Sequence, residues 1–293
     1  MKPSASELSA LPANEFVASV GSVYEKSPWI AERAAAAGPY DSLASLAAGL
    51  KKVVEDASRD EQLALIRAHP DLAGKAALAG ELTAESTEEQ ARAGLGSLTP
   101  EEMARFVQLN DAYKEKFGFP FILAVRNARK ATILGAFAVR IHNSAASELA
   151  EAIKQVHKIA WMRLRDLVTP NPTGFLTCHV LDTARGQPAG PGMAISLRRL
   201  DERTDQWVLL STHVTNSDGR LDGGPALKGA AFECGTYEWT FGVGDYFATA
   251  GVPVAGTPFL ADVPLRFGID DPEAHYHVPL LCSPWSYSTY RGS

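Results

Sequence analysis

The chain has 293 residues, 46% of them hydrophobic, and a formal net charge of −6. This length suggests about two domains, each with enough apolar residues to build a core. Both halves are acidic or nearly neutral, which argues against nucleic acid or an anionic membrane surface as a partner. No apolar run approaches the roughly eighteen residues that a membrane-spanning helix requires.

The first seven residues, Met-Lys-Pro-Ser-Ala-Ser-Glu, are polar and do not resemble a secretion signal. The three cysteines, Cys178, Cys234 and Cys282, are odd in number and widely spaced. This pattern is typical neither of a CxxC site nor of a disulfide framework. We therefore expect reduced thiols and a cytoplasmic location.

The first half of the chain carries helix signals throughout, namely alanine-rich runs and apolar residues at three- and four-residue spacing. Thr99-Pro100-Glu101-Glu102 combines a cap, a proline at the first helical position and an acidic third position, so it predicts a helix that runs to about Phe117. Another helix opens at Asn143 or Ser144. Its apolar stripe consists of Leu149, Ile153, Val156, Ile159 and Leu164. We expect an all-α domain of seven or eight helices over residues 1–168.

Residues 169–174 read Thr-Pro-Asn-Pro-Thr-Gly and mark a change of pattern. Each proline lacks a backbone N–H and pushes the preceding residue out of the helical region, so a helix cannot continue here. Six residues span at most about 20 Å. We predict a short linker at 169–174, followed by a second domain at 175–293.

One segment of the helical half carries polar groups suited to chemistry. The run His69-Pro70-Asp71-Leu72-Ala73-Gly74 is followed by Ser86-Thr87-Glu88-Glu89-Gln90. Pro70 ends the preceding helix and leaves the His69 imidazole at a helix terminus, where it can face a cleft and act as a general acid or base. Two structural interpretations compete with this one. His69 can be an ordinary helix-end residue, and Ser86 with Glu89 can form a capping box.

These residues, together with Gly118-Phe119-Pro120-Phe121-Ile122 and Arg163-Leu164-Arg165, resemble the 2-oxo-4-hydroxy-4-carboxy-5-ureidoimidazoline (OHCU) decarboxylases of urate breakdown. The resemblance covers essentially the whole first half. It implies an all-helical fold and a cofactor-free decarboxylation that yields S-allantoin. It also implies His69 and Glu89 as the catalytic pair. The implied pocket residues are Pro70, Ser86, Gln90, Ile122 and Arg163, with Arg165 as the alternative to Arg163.

The chemistry of this reaction suits such residues. Loss of carbon dioxide leaves electron density that the adjacent imine and carbonyl can delocalise, so neither a metal nor pyridoxal is required. We expect His69 to exchange a proton with the substrate hydroxyl while Glu89 orients it. An arginine is expected to fork onto a carboxylate or the ureido carbonyl, and Gln90 and Ser86 to bind ring amides.

After residue 174 the apolar period becomes two, which is typical of strands. Seven short runs, separated by Gly, Pro, Asp and Asn turns, begin at Phe175, Ala194, Trp207, Tyr237, Leu265, Tyr276 and Trp285. They predict an antiparallel sandwich of seven or eight strands. One short helix is expected at about Asp245 to Thr249.

Several residues of this half are not explained by strand formation alone. His179 lies among apolar residues, and His275 and His277 share one strand face by the two-residue period. Strand histidines often face solvent, however, and Arg220 after Ser217-Asp218-Gly219 is also explained as a turn residue. A zinc site at His275 and His277 is disfavoured because no carboxylate or thiolate stands beside them at ligand spacing.

The second half resembles 5-hydroxyisourate hydrolase, the transthyretin-related enzyme. The matching segments are Leu176 to Asp182, Thr215 to Arg220, His275 to Leu281, and the terminal Tyr-Arg-Gly-Ser, which hormone carriers of the same fold lack. The resemblance implies a catalytic set of His179, Arg220, His277 and Ser293, with Tyr290 and Arg291 beside it. Either histidine would activate water and Arg220 would stabilise the oxyanion, so no metal is required.

The product of this hydrolase is the substrate of the decarboxylase. The two resemblances together imply a bifunctional enzyme that converts 5-hydroxyisourate to OHCU and then to S-allantoin without a cofactor. They also imply a homo-oligomer, with a tetramer formed by the sandwich and dimer contacts by the helical domain. The alternatives are that only one domain is active, or that the chain is a transthyretin-like protein that binds a small ligand.

Overall fold

The computed structural model describes residues 2–74, 82–126, 128–202, 204–252 and 256–292. The chain divides into two compact units, Met1–Thr169 and Pro170–Ser293. The first is helical and the second is built from β-sheets, so the expected fold classes are confirmed. None of the described helices is long and apolar enough to cross a membrane.

The described part of the helical unit contains nine α-helices, more than the seven or eight expected. They are α1 (Ala5–Ser9), α2 (Ala13–Val20), α3 (Trp29–Ala37), α4 (Leu43–Glu55), α5 (Arg59–Ala68), α6 (Ala84–Arg92), α7 (Pro100–Phe117), α8 (Lys130–Arg140) and α9 (Ala145–Leu167). Helix α1 has only five residues, too few for an apolar period to be visible in the sequence.

Local caps fix two of the long helices. Thr99 accepts the Glu102 amide while the Glu102 carboxylate accepts the Thr99 amide, so the predicted cap of α7 is confirmed. Ser144 caps α9 by accepting the Ser147 amide. Of the predicted stripe on α9, four residues are buried in the helical core and Ile153 is half-buried against it.

A buried ion pair joins α8 to α9. Arg140 Nε donates to Glu148 Oε1 at 2.9 Å, Asn143 Nδ2 donates to Glu148 Oε2 at 2.7 Å, and the Tyr113 hydroxyl of α7 also donates to Glu148. Arg140 Nη1 donates to the Ile122 carbonyl at 2.6 Å. The pair therefore anchors the non-helical segment between α7 and α8 as well as the helices.

The β unit contains eleven strands in its described part. They are β1 (Phe175–Thr177), β2 (Val180–Asp182), β3 (Gln187–Pro188), β4 (Ala194–Asp201), β5 (Gln206–Val214), β6 (Leu227–Lys228), β7 (Gly235–Gly242), β8 (Asp262–Ile269), β9 (His275–His277), β10 (Leu280–Cys282) and β11 (Tyr287–Ser288). Helix α10 (Val243–Thr249) lies between β7 and β8, and it begins two residues before the expected start.

The strands form three sheets, with orders β6-β1-β9, β11-β10-β2-β3 and β5-β4-β7-β8. Two predicted strands are each divided, the first at Cys178-His179 and the second at Val278-Pro279, which adds strands to the expected count. Most strand pairs are antiparallel, as expected, but β1 pairs with β9 and β2 with β10 in parallel. The apolar core between the sheets contains Trp239, Phe241 and Leu280.

The predicted linker is hydrogen-bonded at both of its ends. The Thr169 amide donates to the Pro3 carbonyl at 2.8 Å within the helical unit. In the β unit, the Asn171 amide donates to Glu273 Oε1 at 2.7 Å and Thr173 Oγ1 donates to the Glu273 carbonyl at 3.0 Å.

We expect Arg140→Met to lower the free energy of unfolding of the helical unit by about 3–5 kcal/mol, because it leaves the Glu148 carboxylate buried without its cation. Urea unfolding followed by circular dichroism measures this change. Arg33→Met is the matched control, because the Arg33–Glu61 pair is exposed and such pairs are worth about 1 kcal/mol or less. Equal losses in the two variants would contradict the structural role of the buried pair.

Candidate active sites

His69 is the C-cap of helix α5, and its extended backbone (φ −75°, ψ 140°) satisfies the restriction that Pro70 imposes. The imidazole is 8% exposed, and its Nδ1 lies 3.1 Å from the Leu65 carbonyl. A carbonyl only accepts hydrogen bonds, so Nδ1 carries the proton and Nε2 keeps its lone pair in the neutral ring. Burial is the main reason that the pKa of His69 falls to about 4, although Glu25 opposes the shift. At neutral pH His69 is therefore a base with Nε2 as its acceptor.

His69 lies in the wall of a pocket formed by α5, α6, α9 and the segment after α7. The lining residues are His69, Pro70, Leu72, Ser86, Glu89, Gln90, Phe121, Ile122, Leu123, Val125, Ile159 and Arg163. The structure thus brings together every described residue that was expected in the decarboxylase site. Arg165, the alternative to Arg163, lies instead with its guanidinium 6.0 Å from the Trp161 ring centroid.

Helix α6 supplies the polar wall of the pocket. Its N-cap is Thr83, which accepts the Ser86 amide at 3.3 Å. The capping-box interpretation of Ser86 and Glu89 is therefore wrong, because both lie inside the helix and both are buried. Their spacing of three places the two side chains on one helical face, toward Arg163 of α9.

Arg163 is 4% exposed and joins the polar groups of the pocket. Its Nε and Nη2 donate to the two oxygens of Glu89 at 2.9 and 3.0 Å, and Nη2 also lies 3.3 Å from Ser86 Oγ. Its Nη1 lies 2.9 Å from Glu25 Oε2. These contacts use four of the five N–H groups of a guanidinium. A two-point fork onto a substrate carboxylate needs two free N–H groups, so the expected fork does not fit this arrangement.

Glu25 does not line the pocket but contacts two residues that do, and the sequence analysis missed it. Its carboxylate is 2% exposed, accepts from Thr83 Oγ1 at 2.8 Å and Ser86 Oγ at 3.0 Å, and pairs with Arg163. Burial alone would raise the pKa of Glu25, but the charge of Arg163 and the hydrogen bonds from Thr83 and Arg163 leave it below the usual value. A local signal exists in the backbone, since Lys26 adopts a positive φ of 47°, and such conformations in non-glycine residues often accompany functional sites.

Gln90 holds the loop that follows His69. Its Oε1 accepts the Ala73 amide at 2.9 Å, and its Nε2 donates to the Asp71 carbonyl at 3.4 Å. Asn110 Nδ2 donates to the Leu72 carbonyl of the same loop at 2.8 Å. The Gln90 amide group is therefore committed to the protein backbone at both ends.

The second candidate site lies where β1 and β9 end. Their parallel register pairs Phe175 with His275 and Thr177 with His277, and side chains of registered residues leave the sheet on the same face. His179 follows at the break between β1 and β2. Its carbonyl accepts the Leu280 amide at 2.9 Å.

A tight turn brings Arg220 to the same place. Asn216 Oδ1 accepts the amides of Asp218 and Arg220, each at 3.0 Å, and Arg220 forms an isolated antiparallel bridge with His179. Gly219 has φ 70°, and a Cβ there would lie 2.3 Å from the Val180 carbonyl oxygen. The turn is thus packed against β2, which is what directs Arg220 toward His179.

Both histidines of this site are held neutral. Desolvation is the largest cause that lowers the pKa of His179 and of His277, and the charge of Arg220 lowers both further. His179 Nε2 is buried and has no hydrogen-bond partner among the described residues. His277 Nδ1 lies 2.9 Å from Thr177 Oγ1. Two neutral imidazoles beside one guanidinium can exchange protons near neutral pH.

The end of the chain lies against His277. The Gly292 amide donates to the His277 carbonyl at 2.9 Å, and a Cβ on Gly292 would lie 2.8 Å from His277 Cδ2. The Arg291 guanidinium stacks 4.4 Å from the Tyr276 ring centroid, and Tyr290 is 55% exposed. Ser293 lies outside the described residues. Within the described part of the chain, no cluster of three His, Cys, Asp or Glu side chains is arranged to hold a metal ion.

Comparisons with known proteins divide the chain at the same place. The OHCU decarboxylase family model matches residues 9–165, and the HIUase/Transthyretin family model matches residues 176–292. A 5-hydroxyisourate hydrolase 2 of Rhizobium meliloti (strain 1021) is 58% identical over 121 residues, which is 41% of this chain and 98% of that protein.

A 2-oxo-4-hydroxy-4-carboxy-5-ureidoimidazoline decarboxylase of Halalkalicoccus jeotgali is 43% identical over 164 residues, which is 56% of this chain and 91% of that protein. The crystal structure of an (S)-allantoin synthase matches with a TM-score of 0.87 and 46% identity, covering 99% of this chain and 100% of that one. The chain therefore belongs to the OHCU decarboxylase family through residues 9–165 and to the HIUase/Transthyretin family through residues 176–292.

Proposed function

We propose that this chain is a bifunctional enzyme of urate degradation. Its C-terminal domain hydrolyses 5-hydroxyisourate to OHCU, and its N-terminal domain decarboxylates OHCU to S-allantoin. The observation that carries the proposal is the full-length similarity to an (S)-allantoin synthase, in a chain whose two halves belong to families of consecutive enzymes. We assign the decarboxylase to residues 1–168, the linker to 169–174 and the hydrolase to 175–293.

In the decarboxylase, carbon dioxide leaves its bonding electron pair on the ring, where the adjacent imine nitrogen accepts it together with a proton from water. His69 Nε2 takes the proton of the substrate hydroxyl, which becomes a carbonyl, and returns it to the neighbouring ring carbon. The neutral imidazole with a protonated Nδ1 supports this role. Glu89 contacts the substrate, and Arg163, itself held by Glu25, orients Glu89 and Ser86. Pro70 and Ile122 bound the pocket, and Gln90 keeps the loop after His69 in place.

In the hydrolase, His179 and His277 transfer protons and Arg220 stabilises the oxyanion that forms when water adds to the ring amide. Ser293 closes the pocket, with Tyr290 and Arg291 beside it. The approach of Gly292 to His277 supports the placement of this tail. No step in either half calls for a metal or an organic cofactor.

We also propose a homo-oligomer, with a tetramer formed by the sandwich and dimer contacts by the helical domain. Strand β11 lies at a sheet edge, and Trp285, Tyr287 and Tyr290 around it are 63%, 48% and 55% exposed. Exposed aromatic side chains on an edge strand are typical of protein interfaces. The free thiols of Cys178, Cys234 and Cys282 support a reducing compartment such as the cytoplasm.

The function is tested by generating 5-hydroxyisourate from urate in the presence of the protein and following absorbance and circular dichroism. Rapid loss of 5-hydroxyisourate followed by growth of the S-allantoin signal is the expected result. Loss of the first intermediate without optically active allantoin would leave only the hydrolase. No acceleration of either step would favour a transthyretin-like carrier.

We expect His69→Asn to lower the decarboxylation kcat by about 10²-fold or more, because asparagine can donate to the Leu65 carbonyl but cannot accept the substrate proton. In the unsubstituted enzyme, activity should fall on the acid side only near pH 4, where Nε2 becomes protonated. Stopped-flow rates across pH measure both effects. Hydrolysis by the same variant serves as the internal control, and a wild-type rate of decarboxylation would remove His69 from this role.

We expect Glu25→Gln to lower the decarboxylation kcat by about 10- to 100-fold, since a small displacement of a positioned group has effects of this size. Because Glu25 acts by holding Arg163, the Glu25→Gln change should not lower the decarboxylation kcat further in an Arg163→Gln background. Rates of the two single variants and the double variant test this. Losses that multiply would show that Glu25 acts independently of Arg163.

A further inference from the structure

The Thr177 hydroxyl lies between two imidazoles. Thr177 Oγ1 is 2.9 Å from His277 Nδ1 and 2.8 Å from His275 Nε2. The parallel register of β1 and β9 produces this arrangement, because it places Thr177 beside His277 on the face that His275 also occupies. The roles proposed above use His277 but leave Thr177 and His275 without a function.

Proton counting restricts how these three groups can be bonded. A threonine hydroxyl carries one proton, so it donates to one imidazole and must accept from the other. In the first arrangement His277 Nδ1–H donates to Thr177, which donates to His275 Nε2, and His277 Nε2 is left as a base. In the second, His275 Nε2–H donates to Thr177, which donates to His277 Nδ1, and His277 Nε2 carries a proton.

The surroundings of the two imidazoles differ in how well they tolerate positive charge. His277 faces Arg220, His179 and His275, and burial together with these groups lowers its pKa. His275 stacks on the Phe175 ring with a centroid distance of 4.1 Å and an interplanar angle of 18°. An aromatic face attracts a cation. The Phe175 ring can thus stabilise an imidazolium at His275, whereas Arg220 repels one at His277.

We propose that Thr177 and His275 are positioning residues that relay the proton which His277 takes from the attacking water. This inference rests on the proposed hydrolase function and assigns water activation to His277. As the water O–H bond breaks, its proton binds His277 Nε2, the Nδ1 proton of His277 passes to Thr177, and the Thr177 proton passes to His275 Nε2. The hydroxide adds to the ring carbonyl.

The reverse shift returns the proton through His277 Nε2 to the nitrogen that leaves, so the residues end as they began and no electrons are exchanged. This assignment narrows the two-histidine scheme given above, because both proton transfers pass through His277 and His179 contacts the substrate through its unpartnered Nε2.

The proposal is tested with Thr177→Val, which removes the hydroxyl and keeps the branched shape, and with Thr177→Ser, which keeps the hydroxyl. We expect hydrolysis kcat to fall about 10- to 100-fold in Thr177→Val and to recover in Thr177→Ser, with KM little changed. The proton inventory, measured as kcat in mixtures of H2O and D2O, should be curved for the unsubstituted enzyme and linear for Thr177→Val. Thr212→Val on the exposed face of β5 is the matched control.

A second variant, His275→Gln, keeps the test valid if Thr177→Val fails to fold. It should lower kcat to a similar extent, and the Thr177→Val/His275→Gln double variant should be no slower than either single variant. Multiplicative losses, or an unchanged rate and inventory in Thr177→Val, would overturn the relay while leaving the hydrolase function in place. An unsubstituted enzyme that does not hydrolyse 5-hydroxyisourate would overturn both.

Discussion

The helical site depends on one buried guanidinium. Arg163 lies between Glu25 and Glu89 and contacts Ser86, so the segment after α2, helix α6 and helix α9 meet at a single side chain. Removing one member of such a cluster leaves an uncompensated charge in a low-dielectric interior, which is far more costly than never having placed the group there. The cluster holds the Glu89 carboxylate in a fixed direction. His69, close to these charges, stays neutral because burial lowers its pKa more than the charge of Glu25 raises it.

The hydrolase site also holds its side chains in fixed positions, but it does so with less buried charge. The imidazoles of this site are only half-buried, and their positions come from backbone register: the parallel pairing of β1 with β9 and the Asn216–Arg220 turn packed against β2. A shift of one residue in that pairing would move Thr177 and His277 to opposite faces. One chain thus contains two ways of fixing the side chains of its candidate sites, by an ion-pair cluster in the helical unit and by strand register in the sandwich.

How much of the structure could be predicted from the sequence depends on how far apart in the chain the interacting residues lie. The caps at Thr99 and Ser144 involve neighbours within a few residues, so the starts of α7 and α9 were predicted closely. His69, Glu89, His179, Arg220 and His277 could be singled out from the sequence because they lie in recognisable motifs. Glu25 was missed because its partners, Ser86 and Arg163, are distant in sequence and no local sequence pattern distinguishes it from a surface glutamate. The role of Thr177 depends on a parallel strand pairing that alternation alone cannot reveal, and the division of β1 from β2 depends on a turn that packs there from elsewhere.

The hydrogen bonds around Pro170 have a consequence for division of the gene at this point. The Thr169 amide donates to the Pro3 carbonyl, and Asn171 and Thr173 donate to Glu273, so each of these hydrogen bonds lies within one unit. A gene divided at Pro170 would encode two pieces that each retain these partners. Fusion or fission of the two reading frames at this point would therefore leave these hydrogen bonds unchanged.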